Sequence, residues 1–158
     1  MDDTAAPGSA GVYASESPFL ESWVQIGTAG GKVISVSFPD HPEDDHETDH
    51  PLLDRIDRYL DGVDPVTFED VDVALTAGGD QRAVLETLQN VPYGEDVGCG
   101  QLARMTGGLS DDDEGLRTVR QALAENPAPL LIPDHRVRDG PSAAPPRVVQ
   151  RLRSVEGL

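Results

Sequence analysis

The sequence predicts an α+β protein with a sheet-bearing first half and a helical second half. Residues 32–38 (KVISVSF) alternate apolar and polar side chains with a period of two, which is typical of a half-buried strand. The preceding turn at 28–31 (TAGG) predicts a hairpin with a strand at 19–26, and a third strand is expected at 71–75. We expect a flexible tail at 1–11, an α/β domain at 12–88 and a second domain at 89–158.

Helical spacing of apolar residues predicts the remaining elements. Leu52, Leu53, Ile56 and Leu60 share one face after Pro51, and a second helix is expected at 81–88. The second half predicts helices at 98–106 and 116–125, a short buried strand at 130–133, and a last helix that opens at Pro145-Pro146.

The charge is strongly acidic and unevenly distributed. The chain has 12 basic and 29 acidic residues, a net charge of −17, and residues 1–90 hold 19 acids against 4 bases. A dense shell of carboxylates favours adaptation to a salt-rich cytoplasm, and an acidic partner-binding surface or a nucleic-acid mimic is the alternative. The first residues resemble no secretory leader and no run of about 18 apolar residues occurs, so we expect a cytoplasmic protein that contacts no membrane.

Metal and disulfide chemistry have little support in the sequence. The single cysteine, Cys99, excludes an internal disulfide and a cysteine-based zinc cage. His41, His46 and His50 lie among carboxylates in residues 39–50, where spacing of four could place His46 and His50 toward a metal. The two prolines and the many acids favour a solvated loop, so we expect no metal and no cofactor.

The helices at 98–106 and 116–125 form a helix-turn-helix pattern. The outward face of the second carries Arg117, Arg120 and Gln121 at helical spacing, after an acidic loop at 110–114. Such a face indicates nucleic-acid binding, although many helix pairs of this length only pack together.

Three segments of the second half resemble a known family. They are VPYGEDVGCGQLARMTG at 91–107, LRTVRQALAENPAPLLIPDHRV at 116–137 and LRSVEG at 152–157. This order is similar to the C-terminal half of the O6-alkylguanine-DNA alkyltransferases, which move an alkyl group from guanine in DNA to their own cysteine. The resemblance implies a small RNase H-like N-terminal domain with three antiparallel strands, followed by a winged-helix-like helix-turn-helix domain.

The family signature Pro-Cys-His-Arg-Val reads here as Pro133-Asp134-His135-Arg136-Val137. The resemblance therefore places Asp134 at the alkyl-acceptor position, while His135 and Glu156 match the residues that activate the cysteine. A carboxylate is a poorer nucleophile toward an alkyl carbon than a thiolate, so we expect no cysteine-type alkyl transfer.

Other residues match family positions that meet DNA or brace the site. Arg117 matches the arginine that fills the stack after a base is flipped out, and Cys99 matches a tyrosine that acts on the nucleotide's phosphate. Asn126 matches an asparagine that braces the turn, and Arg136 matches the motif arginine, which is usually structural. Arg120 and Gln121 replace two small residues, and a shorter segment at 138–146 predicts a pocket that is more open or differently shaped.

Three hypotheses follow from the resemblance. The first is recognition of O6-alkylguanine in double-stranded DNA by base flipping, without alkyl transfer, by a monomer that flags the lesion for excision-repair proteins. The second is a diverged interaction or regulatory module that no longer binds DNA. The third is a methyltransferase with Asp134 as an unconventional acceptor, whose alkyl ester could hydrolyse.

Overall fold

The computed structural model describes residues 10–158, and its sheet is an antiparallel meander. Strands β1 (Gly11–Ser17), β2 (Ser22–Ala29) and β3 (Lys32–Ser37) lie in the order β1-β2-β3. Gly30 and Gly31 turn the β2–β3 hairpin with φ of 61° and 77°, a region that residues with a Cβ rarely adopt. The α+β class and the antiparallel three-stranded sheet are thus confirmed.

Five helices follow the sheet: α1 (Pro51–Asp61), α2 (Gly79–Leu88), α3 (Cys99–Met105), α4 (Asp113–Ala124) and α5 (Pro146–Glu156). A 3₁₀ turn, Asp134–Arg136, lies between α4 and α5. None of the helices within residues 10–158 is both long and apolar enough to cross a membrane.

The third strand of the sheet is β1, so the prediction of a strand at 71–75 was wrong. Residues 71–75 contribute one isolated bridge, in which Val33 N–H donates to Asp72 O at 2.9 Å. β1 begins at Gly11, inside the segment expected as a tail, and residues 1–9 of that tail lie outside the described range. The small and polar residues of β1 carry a weak strand pattern, and pairing with β2 is what orders them.

Two element boundaries and one further strand also differ from expectation. Phe19 lies in the turn before β2 and is 38% exposed, so the strand begins three residues later than predicted. Residues 130–133 form no strand: Leu130, at φ 85°, and Leu131 lie in a turn, and Ile132 makes one isolated bridge with Pro129. Helix α4 begins at Asp113, not at residue 116, because Asp112 accepts from Gly115 N–H at 2.9 Å and caps the helix.

The core is continuous across the two halves of the chain. Leu20, Ile26 and Ile56 from the first half are as fully buried as Leu102 and Leu123 from the second, and all belong to one cluster. A backbone hydrogen bond also joins the halves, in which Val36 N–H donates to Pro127 O at 2.9 Å. The halves therefore present the site from a common packed body.

Candidate functional site

The 3₁₀ turn Asp134–Arg136 places three charged or titratable side chains inside the protein. Two backbone hydrogen bonds to Val97 hold the turn on one side. Val97 N–H donates to Arg136 O at 2.8 Å, and Arg138 N–H donates to Val97 O at 2.9 Å. Helix α5 holds it on the other, since the Arg153 guanidinium donates to His135 O at 2.7 Å. The turn is thus fixed between the segment before α3 and the last helix.

Glu156, at the end of α5, is the hub of this buried cluster. Its Oε2 lies 2.6 Å from His135 Nε2, and its two oxygens accept from the Arg136 guanidinium at 2.8 and 3.0 Å. Gly94 N–H also donates to Oε1 at 2.9 Å. The side chains of His135 and Glu156 are fully inaccessible to solvent, so the structure brings together the two residues that the sequence predicted as partners.

The electrostatics of the cluster keep Glu156 ionised. Burial alone would raise the pKa of this carboxyl, but hydrogen bonds from His135 and Arg136 outweigh it and lower the pKa to about 2. Glu156 therefore carries its negative charge over the whole physiological range and holds the imidazole of His135 in a fixed orientation.

Tyr59, on α1, also contacts this cluster and was missed by the sequence analysis. Its hydroxyl donates to Glu156 Oε2 at 2.5 Å and lies 3.3 Å from His135 Nε2. Burial and the adjacent carboxylate raise its pKa, so it acts as a hydrogen-bond donor. The helical pattern of α1 predicts only that Tyr59 is a core residue. Its contacts with His135, 76 positions later in the chain, and with Glu156, 97 positions later, exist only in the tertiary structure.

Asp134 points into a separate set of hydrogen-bond donors. Ser142 Oγ donates to its Oδ1 at 2.5 Å, and Ala143 N–H and Asn126 Nδ2 donate to its Oδ2 at 3.0 and 3.1 Å. The residue is only 1% exposed. Burial raises the pKa of its carboxyl, and these three donors oppose that rise.

The segment at 138–145 covers Asp134, so of the two expectations for this pocket, more open or differently shaped, the first is wrong. Asp139 accepts from Cys99 N–H at 2.7 Å, and Gly140 packs so tightly on Cys99 and Leu123 that a Cβ there would lie within 3 Å of both. Together with the bonds to Asp134 from Ser142 and Ala143, these contacts close the segment over the carboxylate. The segment leaves little space at Asp134 because it packs directly onto the carboxylate.

Cys99 and Asn126 are buried, as is Arg136. The Cys99 side chain is 1% exposed in the core, so in this structure it reaches no surface from which to contact DNA. Asn126 braces the turn after α4: its amide nitrogen donates to Ile132 O at 2.9 Å and its oxygen accepts from Ala128 N–H at 3.0 Å. Arg136 also donates to Val91 O at 2.6 Å, which fits a structural role.

The outward face of α4 is exposed, as its pattern predicted. Arg117, Arg120 and Gln121 all lie on the surface, and neither arginine forms an ion pair with another of the residues 10–158. On the neighbouring helix α3, Arg104 instead pairs with Asp111 at 2.8 Å. Because Asn126 lies two residues after α4 and donates to Asp134, the exposed arginines of this helix and the buried site are close in the chain.

The predicted histidine group has local structural roles. His50 Nδ1 accepts from Leu52 N–H at 3.0 Å and caps α1, and burial lowers the pKa of His50 against the opposing effect of Asp49 and Asp54. His46 Nδ1 lies 2.6 Å from Glu43 O. Within the described part of the chain, no three His, Cys, Asp or Glu side chains are grouped as metal ligands.

A cleft of about 460 Å³ lies beside the buried Glu156 cluster and not at Asp134. Phe68, Tyr93, Leu131 and Arg136 are among its lining residues, and Glu69 and Glu86 also border it. The Arg136 guanidinium lies 5.8 Å from the centre of the Tyr93 ring. Asp134 is not part of this lining.

Comparisons with known proteins identify the family. A family model described as the DNA-binding domain of 6-O-methylguanine DNA methyltransferase matches residues 80–143. A methylated-DNA–protein-cysteine methyltransferase of Methanopyrus kandleri is 34% identical over 96 residues, which are 61% of this chain and 68% of that protein. The chain belongs to the methylated-DNA–protein-cysteine methyltransferase family.

Solved structures agree with this family at the level of the fold. A variant of the Mycobacterium tuberculosis O6-methylguanine methyltransferase superposes with a TM-score of 0.70 at 23% identity, covering 94% of this chain and 92% of that one. The OGT of the same organism in complex with DNA has a TM-score of 0.68 at 23% identity, with 93% and 91% covered. The matched region of the methyltransferase family includes α4, Asn126 and Asp134, whereas Glu156 lies beyond it.

Proposed function

We propose that this chain binds duplex DNA through α4, takes up an alkylated guanine base beside Asp134, and transfers no alkyl group to a cysteine. The observation that carries the proposal is that His135 and Glu156 are hydrogen-bonded to each other while a buried carboxylate occupies position 134. Membership of a DNA-repair methyltransferase family and a similar fold bound to DNA support the duplex as ligand. The family resemblance makes O6-alkylguanine the first base to test.

Cys99 does not fit the role of alkyl acceptor. Burial and a hydrogen bond to Asp139 raise the pKa of its thiol to about 11, whereas the nucleophilic form of a cysteine is the thiolate. The ring nitrogen Nε2 of His135 lies against Glu156 and Tyr59, and no hydrogen bond among the described residues joins His135 to Cys99. The chain's single thiol is therefore neither ionised nor presented to a ligand.

Asp134 is also a weak candidate for acceptor. Both of its oxygens already accept hydrogen bonds, and each such bond lowers the availability of the lone pairs that would attack an alkyl carbon. A base can approach only after Ser142 and Ala143 leave the carboxylate. Uptake of a base therefore requires the segment at 138–145 to move.

The exposed arginines of α4 can bind DNA phosphates despite the net charge of −17 on the chain. At 1 M salt the screening length is about 3 Å. The repulsion between DNA phosphates and the distant carboxylates of the first half is therefore largely screened, whereas direct contacts are screened less. We therefore expect the arginines that touch the duplex, and not the net charge of the chain, to decide whether it binds, with an affinity that falls as salt rises.

Arginine variants test the interface with DNA. Arg117→Ala and Arg120→Ala should each lower the affinity for a duplex about tenfold in 0.1 M KCl, and should each reduce the slope of log affinity against log salt by about one, since each removes one cationic contact. Arg58→Ala is the matched control, because Arg58 is exposed on α1 and its loss changes the net charge equally. Equal affinities of all three variants and the wild type in fluorescence anisotropy would refute the α4 interface and favour the interaction module.

Transfer assays test the missing chemistry. With DNA that carries a labelled O6-methyl group, the wild type should retain no label on the protein and release no methanol. Asp134→Cys should gain label on the protein, because His135 and Glu156 are already in place to activate a thiol. Label or methanol from the wild type would instead establish Asp134 as an acceptor.

The domain boundary near residue 88, the monomeric state, the cytoplasmic location and a link to excision-repair proteins stay predictions. Light scattering during size-exclusion chromatography tests the monomer directly.

A further inference from the structure

The donors around Asp134 define what a ligand must offer there. Two of the three contacts are N–H groups, from Ala143 and Asn126, and an N–H can only donate. Ser142 Oγ accepts from Ala144 N–H at 3.0 Å, which leaves its own proton for Asp134 Oδ1. Asp134 therefore accepts on both oxygens, and none of the hydrogen bonds among residues 10–158 has its side chain as a donor.

Only two of these donors can be displaced by a ligand. Asn126 is held by Ile132 O and Ala128 N–H, so its contact to Asp134 remains when the covering segment moves. Ser142 and Ala143 belong to that segment, and each serves a different oxygen of the carboxylate. When they leave, one acceptor site opens on Oδ1 and one on Oδ2.

A buried carboxylate that loses two hydrogen bonds is strongly disfavoured unless the ligand replaces them. The replacement must consist of two adjacent donors, spaced to meet two oxygens of one carboxylate. Guanine has such a pair on its Watson–Crick edge, N1–H and the 2-amino group.

We propose that Asp134 makes the site selective for guanine bases that keep both N1–H and the 2-amino group, and thus for N7-alkylguanine over O6-alkylguanine. This inference rests on the proposed function, which brings an extruded base to Asp134. An alkyl group on O6 removes the proton from N1 and turns that atom into an acceptor. N1 then faces a carboxylate oxygen with no proton between them.

Alkylation at N7 has the opposite effect on the same contact. It leaves N1–H and the 2-amino group unchanged, and it adds a positive charge to the ring. A carboxylate attracts that charge across the buried site, where charges are screened less than in water. The carboxylate at position 134 thus changes which alkylated guanine is held, and does more than remove a nucleophile.

A panel of four bases in one duplex tests the inference. Guanine, N7-methylguanine, hypoxanthine and O6-methylguanine are each placed opposite an abasic analogue, so that no base pair has to be broken. Hypoxanthine keeps N1–H and lacks the 2-amino group, whereas O6-methylguanine has the reverse. A neighbouring 2-aminopurine reports extrusion of the target base by a rise in fluorescence, and anisotropy gives the affinity.

The wild type should bind guanine and N7-methylguanine about tenfold more tightly than hypoxanthine or O6-methylguanine, one good donor pair being worth about that factor. In Asp134→Asn the preference for guanine over O6-methylguanine should fall to about twofold or reverse, since an amide nitrogen can donate to N1. Asp134→Ser, whose hydroxyl can also donate, serves as a second variant if the amide variant does not fold.

The outcomes separate the two proposals. Extrusion of every base with equal affinity for guanine and O6-methylguanine overturns the selectivity of Asp134 and leaves the proposed function standing. If both variants retain the preference for guanine over O6-methylguanine, Asp134 is not the residue that determines it. No rise in 2-aminopurine fluorescence with any base overturns base uptake itself, and the selectivity with it.

Discussion

Replacing Glu156 with Gln removes the charge at the centre of the buried cluster while conserving its shape. The carboxylate accepts from Arg136 twice, from Tyr59 and from Gly94 N–H, and it pairs with His135 at 2.6 Å. A glutamine would turn one of these acceptors into a donor and would leave the Arg136 guanidinium, whose side chain is 10% exposed, without a counter-charge. We expect Glu156→Gln to destabilise the fold strongly.

Two independent considerations give the same magnitude. Removal of one partner of a buried ion pair costs about 3–5 kcal/mol. The lowering of the Glu156 pKa from 4.5 to about 2 corresponds to roughly 3 kcal/mol of stabilisation at neutral pH. Because the pKa is lower in the folded state, this stabilisation is complete above pH 4.5 and is lost as the pH falls from 4.5 toward 2.

Urea unfolding, followed by the fluorescence of the single tryptophan Trp23 at fixed high KCl, measures both effects. The difference between wild type and Glu156→Gln should be about 3 kcal/mol at pH 7 and should shrink between pH 4.5 and 2. Glu86→Gln is the control, since its exposed pair with Arg82 should contribute less than about 1 kcal/mol. A difference under 1 kcal/mol at pH 7, or one that does not shrink in acid, would refute the electrostatic account of the cluster.

Three further changes probe single contacts. Gly115→Ala should cost about 2 kcal/mol or more, because a Cβ there would lie 1.7 Å from Ser110 O, whereas Gly107→Ala meets no atom within 4 Å and should be neutral in the same unfolding assay. The Cys99 thiol should resist iodoacetamide at pH 8 in the folded protein and react after denaturation, as its burial and a pKa of about 11 require; rapid labelling of the native chain would contradict this. Tyr59→Phe should lower stability by about 2 kcal/mol through loss of its bond to the buried glutamate, and an unchanged urea midpoint would show that this bond contributes nothing.

Predictions that depend on local pattern agree best with the structure. The β2–β3 hairpin, the exposed arginine face of α4 and the pairing of His135 with Glu156 all follow from short-range periodicity or from a motif with a known order. The strand at 11–17 did not, because apart from Val12 and Tyr13 its residues are small or polar and carry little intrinsic preference, and pairing with the neighbouring strand orders them. A pattern read over a few residues contains no information about such a neighbour.

The sequence by itself determined the chemistry available at the site: a carboxylate at position 134, a histidine after it, and one cysteine elsewhere in the chain. Only the tertiary structure decided how that chemistry is presented. It brought Tyr59 to Glu156 across 97 positions, and it closed Ser142 and Ala143 over Asp134. The physical reason is that burial and hydrogen bonding depend on which distant segments pack together, and those contacts leave no periodic trace in the segments themselves.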